Sequence, residues 1–99
     1  MSVSVIIPAL NEEGTVAGVV RACLADEPFE VLVIDADSTD DTASRAAAAG
    51  ADVRNWRDIL PEEPRPGKGE SLWRGVAAAR GDIVVFVDAD LESAAPVSY

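Results

Sequence analysis

The sequence predicts an α/β fold: a Rossmann-like parallel sheet of about four strands with flanking helices. Three observations predict it. Short runs rich in β-branched residues alternate with stretches of helical periodicity, in the order β-α-β-α-β-loop-α-β. The fourth apolar run is continuous, as expected of a strand buried on both faces. Polar clusters follow three of the strands, at the edge where open parallel sheets place ligands. Right-handed crossovers are expected between the strands.

The elements follow in chain order. Residues 2–8 (SVSVIIP) form the first strand. Asn11 suits a helix N-cap, and Glu12 and Glu13 suit the positive end of the helix dipole. Val16, Val19, Val20, Cys23 and Leu24 then recur at helical spacing and give one apolar face, so packing is the expected role of Cys23. Residues 29–34 (FEVLVI) form the second strand. In STDDT, Ser38 or Thr39 caps a second helix, with Asp40 and Asp41 in its first turn. Ala43, Ala46 and Ala47 are its small face, and Gly50 ends it. Residues 51–55 form a short third strand. Residues 56–66 hold three prolines and read as a loop. Residues 68–80 form a third helix with Leu72, Val76 and Ala79 inward. Residues 82–87 (DIVVFV) form the fourth strand.

Size and charge exclude several classes. The chain has 99 residues, enough for one small domain, with no repeat. It has one cysteine and no histidine, which excludes an internal disulfide and every His-ligated metal site within the chain. A metal here would be held by oxygen, favouring Mg²⁺ or Mn²⁺ over Zn²⁺. A net charge of −10 argues against nucleic acid and anionic membranes as partners. No apolar run approaches the ~20 residues that span a bilayer, and the first residues lack a basic leader, so the cytoplasm is the expected location. The charge is uneven: residues 1–53 carry net −8, residues 54–80 net +2 and residues 81–99 net −4. A basic segment between acidic ones suits a phosphate ligand, or is surface scatter.

The chemistry is expected at three strand ends: Pro8-Ala9-Leu10-Asn11-Glu12, Asp35 to Ser38, and Asp88-Ala89-Asp90. If strand geometry continues, Asp88 and Asp90 point to one side and can hold a divalent cation that bridges phosphate oxygens. A phosphatase-type nucleophile pair and a solvated strand end are the other readings. In Arg65-Pro66-Gly67-Lys68-Gly69-Glu70, two glycines let the backbone approach an anion at a helix start. The spacing is not that of a Walker A loop. Trp56 and Trp73 could stack on a base or sugar, with packing favoured for both.

Taken together, PALNEE after the first strand, DADSTDDT after the second and VFVDAD after the fourth resemble the donor-binding half of the GT-A glycosyltransferases. The stretch LPEEPRPGKGESLWRG is most similar to that of the glucosyl-3-phosphoglycerate synthase family, retaining enzymes that move glucose from UDP-glucose to 3-phosphoglycerate. The resemblance runs from about Val3 to Leu91. It implies a single partial GT-A domain over residues 1–99, with a divergent tail at 93–99. It implies that Pro8, Ala9, Leu10 and Glu12 line the uridine pocket, that Asp35 and Ser38 complete the nucleoside side, and that Lys68 reaches the donor. Asp88 and Asp90 would be the DxD pair, with Asp90 the more direct ligand of Mg²⁺ or Mn²⁺ and Ala89 standing where the family often has serine. Homodimers are common in that family. The acceptor pocket and a further metal-ligating histidine belong to the part of the family beyond this stretch, so the chain is expected to hold donor-site elements without the acceptor half. Three competing readings are a haloacid-dehalogenase-like phosphatase, a nucleotidyltransferase, and a non-catalytic nucleotide-binding fragment. The first normally carries its DxD near the N-terminus; the second wants a glycine-rich loop after the first strand, which PALNEEG does not supply.

Overall fold

A computed structural model of the chain describes residues 1–90. The four strands are β1 (Val3–Ala9), β2 (Glu30–Asp35), β3 (Asp52–Asn55) and β4 (Ile83–Phe86). They form one parallel sheet in the order β3-β2-β1-β4. The helices are α1 (Val16–Leu24), α2 (Thr42–Ala48) and α3 (Lys68–Ala78), with a 3-10 turn at Trp56–Asp58. The expected parallel α/β architecture is therefore present, with strand boundaries shifted by about one residue.

Strand alternation sorts the core into two layers. Val5, Ile7, Ala9, Val31 and Val33 face one side with Val16, Val19 and Val20 of α1 and Ala46 of α2. Ile6, Leu32 and Ile34 face the other with Trp56, and Leu72 and Ala78 of α3 pack against them. Each fully buried Val, Leu or Ile contributes roughly 1.5–3 kcal/mol by leaving water. β1 and β2 hold most of these side chains, so the two central strands anchor the fold.

Pro8 lies inside central β1, where proline is normally excluded. The ladder explains it. The Ala36 amide donates to Ala9 O and the Val87 amide to Ile6 O, so alternate residues of β1 serve β2 and β4. Pro8 is in phase with Ile6, and β4 pairs with β1 only as far as Ile6 with Phe86. Its missing N–H thus falls where the β4 ladder has ended.

Several expectations are corrected. β4 is an edge strand among the described residues, and Ile83, Val85 and Phe86 are 38%, 41% and 50% exposed, so it is not buried on both faces. Its apolar run reads the same whether or not a neighbour covers it. Asn11 does not cap α1: the N-cap is Thr15, and Asn11 adopts a left-handed φ of 53°. Glu12 and Glu13 lie before that helix rather than in its first turn. α2 starts at Thr42 with Asp41 as N-cap, leaving Ser38 and Thr39 in the loop. α3 ends at Ala78, and Val76 is exposed rather than inward. Trp56 is buried as expected, whereas Trp73 is exposed. The tail at residues 93–99 lies outside the described residues.

Candidate functional site

Because the strands are parallel, the C-terminal ends of β1, β2 and β4 share one edge of the sheet. A pocket of about 270 Å³ opens there. Six of the residues anticipated from sequence line it: Pro8, Ala9, Leu10, Glu12, Ala89 and Asp90. Ala36, Trp56, Gly67 and Ser71 line it as well: Ala36 and Gly67 fall in segments expected at the site, Trp56 was weighed for stacking with packing favoured, and Ser71 was not anticipated. Gly67 had a signal in the sequence, since it precedes the lysine of RPGKGE. Its φ of 120° admits only glycine comfortably. Ser71 follows by helical spacing one turn into α3. Trp56 gave no such signal, because apolar packing and pocket lining select the same residue type.

Asp35 and Ser38 do not line the pocket but brace its rim. Asp35 is buried at the end of β2, and its Oδ2 accepts from the Ser38 amide at 3.3 Å. Its Oδ1 is buried without a hydrogen-bond partner. Ser38 Oγ accepts from the Asn11 amide at 2.9 Å, and Asn11 Oδ1 accepts from the Thr39 amide at 2.8 Å. The Glu12 amide donates to Thr42 Oγ1 at 2.8 Å, while the Asp41 amide donates to a Glu13 carboxylate oxygen at 3.1 Å. Thr42 in turn donates to Asp40 through its hydroxyl and its amide, which holds the Asp40 carboxyl below the usual range. These bonds join the loop after β1 to the loop after β2, so Leu10 and Glu12 are held by their neighbours rather than by a helix cap.

The DAD segment lies past the end of β4. The strand stops at Phe86, and Ala89 and Asp90 sit in a turn, so strand alternation does not govern the two carboxylates. Asp88 and Asp90 are exposed; Ala89 between them is 2% exposed and packs in the α1 layer of the core. Thr15 Oγ1 donates to the Ala89 carbonyl at 2.6 Å. Asp90 lines the pocket, and Asp88 does not. Both are hard oxygen donors in reach of solvent, which fits a divalent cation completed by phosphate oxygens and water. No group of three or more His, Cys, Asp or Glu side chains that could hold a metal forms among the described residues.

The far wall is held from within. Arg74 of α3 is 1% exposed. It donates to the carbonyls of Trp56 at 2.7 Å, Leu60 at 3.2 Å and Glu62 at 2.6 Å, and to Glu70 Oε2 at 2.7 Å. The Asn55 amide, the Arg57 guanidinium and the Trp56 indole hold the Asp37 carboxyl below its ordinary value, although the Trp56 N–H stops short of hydrogen-bond geometry. Arg54 pairs with Asp52, Arg57 with Asp37 and Glu63, Arg74 with Glu70 and Arg80 with Glu30. Among the described side chains of the basic segment, Arg54, Arg57, Arg74 and Arg80 are thus paired with carboxylates of this chain. Lys68 is the first residue of α3, next to the pocket-lining Gly67. Cys23 is half-buried against the core, and burial together with nearby Asp26 pushes its thiol pKa up, away from reactivity.

Comparison with known proteins agrees with this geometry. The sequence profile "Glycosyl transferase family 2" matches residues 4–96. The chain belongs to glycosyltransferase family 2. Within known members it is 53% identical over 100 residues to the glucosyl-3-phosphoglycerate synthase of Mycolicibacterium paratuberculosis, covering 97% of this chain and 30% of that protein. Against the same enzyme of Mycobacterium tuberculosis strain H37Rv the identity is 51%, with 97% and 31% covered. The crystal structure of the M. tuberculosis enzyme with UDP matches with a TM-score of 0.82 and 53% identity, over 91% of this chain and 34% of that one. Its complex with Mn²⁺, UDP-glucose and phosphoglyceric acid matches with a TM-score of 0.81 and 52% identity, over 89% and 33%. The chain spans about a third of the length of these relatives. Family membership bears out the resemblance read from PALNEE, DADSTDDT and VFVDAD, and it argues against the phosphatase reading. No described helix is long and apolar enough to cross a membrane.

Proposed function

We propose that this chain carries the donor-binding part of a glucosyltransferase that moves glucose from UDP-glucose to 3-phosphoglycerate with retention of configuration. The observation that carries the reading is the single pocket shared by the loop after β1 and the DAD turn. A nucleotide sugar needs that arrangement: a partly apolar seat for the base and ribose beside carboxylates for a diphosphate-bound cation. The M. tuberculosis complexes with Mn²⁺, UDP-glucose and phosphoglyceric acid support the choice of donor and acceptor.

In this reading Pro8, Ala9, Leu10 and Glu12 receive the uridine. Asp35 and Ser38 complete the nucleoside side from the rim, joined by the Ser38 amide donating to Asp35 Oδ2. The backbone at Gly67 and the first turn of α3 face the diphosphate, and Lys68 adds a cation there. Mg²⁺ or Mn²⁺ held by Asp90 and Asp88 would neutralise charge on the departing diphosphate. The remaining contribution of this chain is orientation and exclusion of water, which for glycosyl transfer through an oxocarbenium-like sugar is a large part of catalysis. Asp35 is buried against the loop and Asp37 is paired with Asn55 and Arg57, so neither is assigned as base or nucleophile.

Titration calorimetry with UDP, with and without Mn²⁺, tests the donor site in wild type and Asp90→Ala. Mn²⁺ should tighten UDP binding in the wild type and have no effect in the variant. No UDP binding under either condition would overturn the proposal. Glucose transfer from UDP-glucose to 3-phosphoglycerate, measured in parallel, separates donor binding from turnover and tests the non-catalytic binding reading.

A further inference from the structure

Thr15 occupies the N-cap of α1 without capping it. A threonine at that position normally accepts a hydrogen bond from an amide of the first turn. Here no such bond forms, and the hydroxyl instead donates to the Ala89 carbonyl at 2.6 Å, across 74 positions of sequence. A local preference is given up for a tertiary contact, and such departures concentrate where function constrains the fold.

The contact has one specific consequence. Ala89 is the middle residue of Asp88-Ala89-Asp90. Its methyl is buried in the α1 layer of the core, and its carbonyl is held by Thr15. The two flanking carboxylates are exposed. The turn is therefore held at its centre by Thr15, with both carboxylates at the exposed surface. The turn lies beyond β4, which ends at Phe86. The Val87 amide donates to Ile6 O just before the turn.

We propose that Thr15 is a positioning residue for the metal-binding carboxylates, acting through the Ala89 carbonyl. This rests on the metal-diphosphate reading of the pair given above. Groups that orient metal ligands from behind typically change metal affinity 10- to 100-fold when removed. A hydroxyl at residue 15 is the required chemistry, so serine should serve and valine should not. Valine preserves the shape and removes only the donor. No cap hydrogen bond is made by Thr15, so the substitution removes none from α1.

The full chain is titrated with UDP in EDTA and in saturating Mn²⁺, for wild type, Thr15→Val and Thr15→Ser. The ratio of the two dissociation constants gives the metal enhancement. Backbone ¹⁵N order parameters of Ala89 and Asp90 are measured on the same proteins without metal. Thr15→Val should lose roughly tenfold of the enhancement. Its metal-free UDP affinity should stay within about twofold of wild type, as for groups that share no contact. Its order parameters at Ala89 and Asp90 should fall. Thr15→Ser should match wild type in all three. Full enhancement or unchanged order parameters in Thr15→Val would overturn the proposal, as would an equal loss of UDP affinity with and without metal. Absence of any Mn²⁺ enhancement in the wild type would overturn the metal reading of the pair, and the order parameters would then decide the bracing alone.

Discussion

The guanidinium of Arg74 donates to the Trp56 carbonyl at 2.7 Å inside the protein, joining α3 to the residue whose ring walls the pocket. With its bonds to Leu60 O, Glu62 O and Glu70, one buried cation satisfies the loop that closes the far side of the site. Removing one partner of a buried network strands the others, and this sets the first prediction.

Arg74→Met should destabilise the chain by about 3–5 kcal/mol, because Glu70 and three carbonyls lose their donor. Arg74→Lys should recover only a small part, since a point charge cannot reproduce the planar fork. Urea denaturation measures the loss. In a Trp73→Phe background, emission from Trp56 should shift to the red as the loop loosens.

Gly75 faces β1 at very close range. A Cβ there would stand 2.3 Å from Ile6 Cγ2 and 3.3 Å from Ile34 Cγ1. Gly75→Ala should therefore destabilise by roughly 1–3 kcal/mol despite its better helix propensity. Ile6→Leu, which lacks the Cγ2 methyl on Cβ, should restore part of the loss in the double variant. Thermal unfolding of the single and double variants checks the coupling.

Glu30 ties three elements together. It accepts from the Ser4 hydroxyl at 2.6 Å, the Arg80 amide at 2.7 Å and the Arg80 guanidinium at 3.4 Å. Burial alone would raise its pKa, but these donors outweigh burial and the carboxyl sits below its ordinary value of 4.5. Its folded pKa lies below the unfolded one. The stability it contributes is thus fully present above the unfolded value and is lost as pH falls through the folded value. Glu30→Gln should be less stable than wild type at neutral pH and show a flatter acid limb. Melting temperatures from about pH 7 down to about pH 3 test this.

Asn11 combines a left-handed backbone with the Thr39 contact. Asn11→Gly keeps the backbone easy and loses the side-chain acceptor; Asn11→Ala loses both. Alanine should be the more destabilising by about 1 kcal/mol, the usual strain of a β-carbon in that conformation. Both should weaken UDP binding, because both release the loop that carries Leu10 and Glu12. Denaturation and calorimetry on the pair separate strain from bracing.

The site was legible in the sequence to the extent that its residues follow strand ends. Pro8 to Glu12 and Ala89-Asp90 were found this way and meet at one pocket. Asp35 and Ser38 were found by the same rule but lie beside the pocket, because one strand end supplies both lining and support. Ser71 was missed and Trp56 was read as packing in preference to stacking: a helix turn and a loop residue reach the pocket only through the packing of α3 on the sheet. Arg74 by itself entered the sequence reading only in the net charge of residues 54–80, since composition does not reveal that three carbonyls of the preceding loop converge on it.

By itself the sequence determined the alternation of strands and helices, the parallel sheet and the edge where polar loops gather. Those follow from periodicity, turn residues and the burial of β-branched runs, all local signals. Only the tertiary structure decided that β4 lies at the edge with its apolar residues exposed, that Thr15 leaves its helix to hold Ala89, and that Arg74 is buried. The physical reason is the same in each case. Strand order and long-range hydrogen bonds depend on which surfaces meet after chain closure, and residues tens of positions apart carry no shared period that would announce their contact.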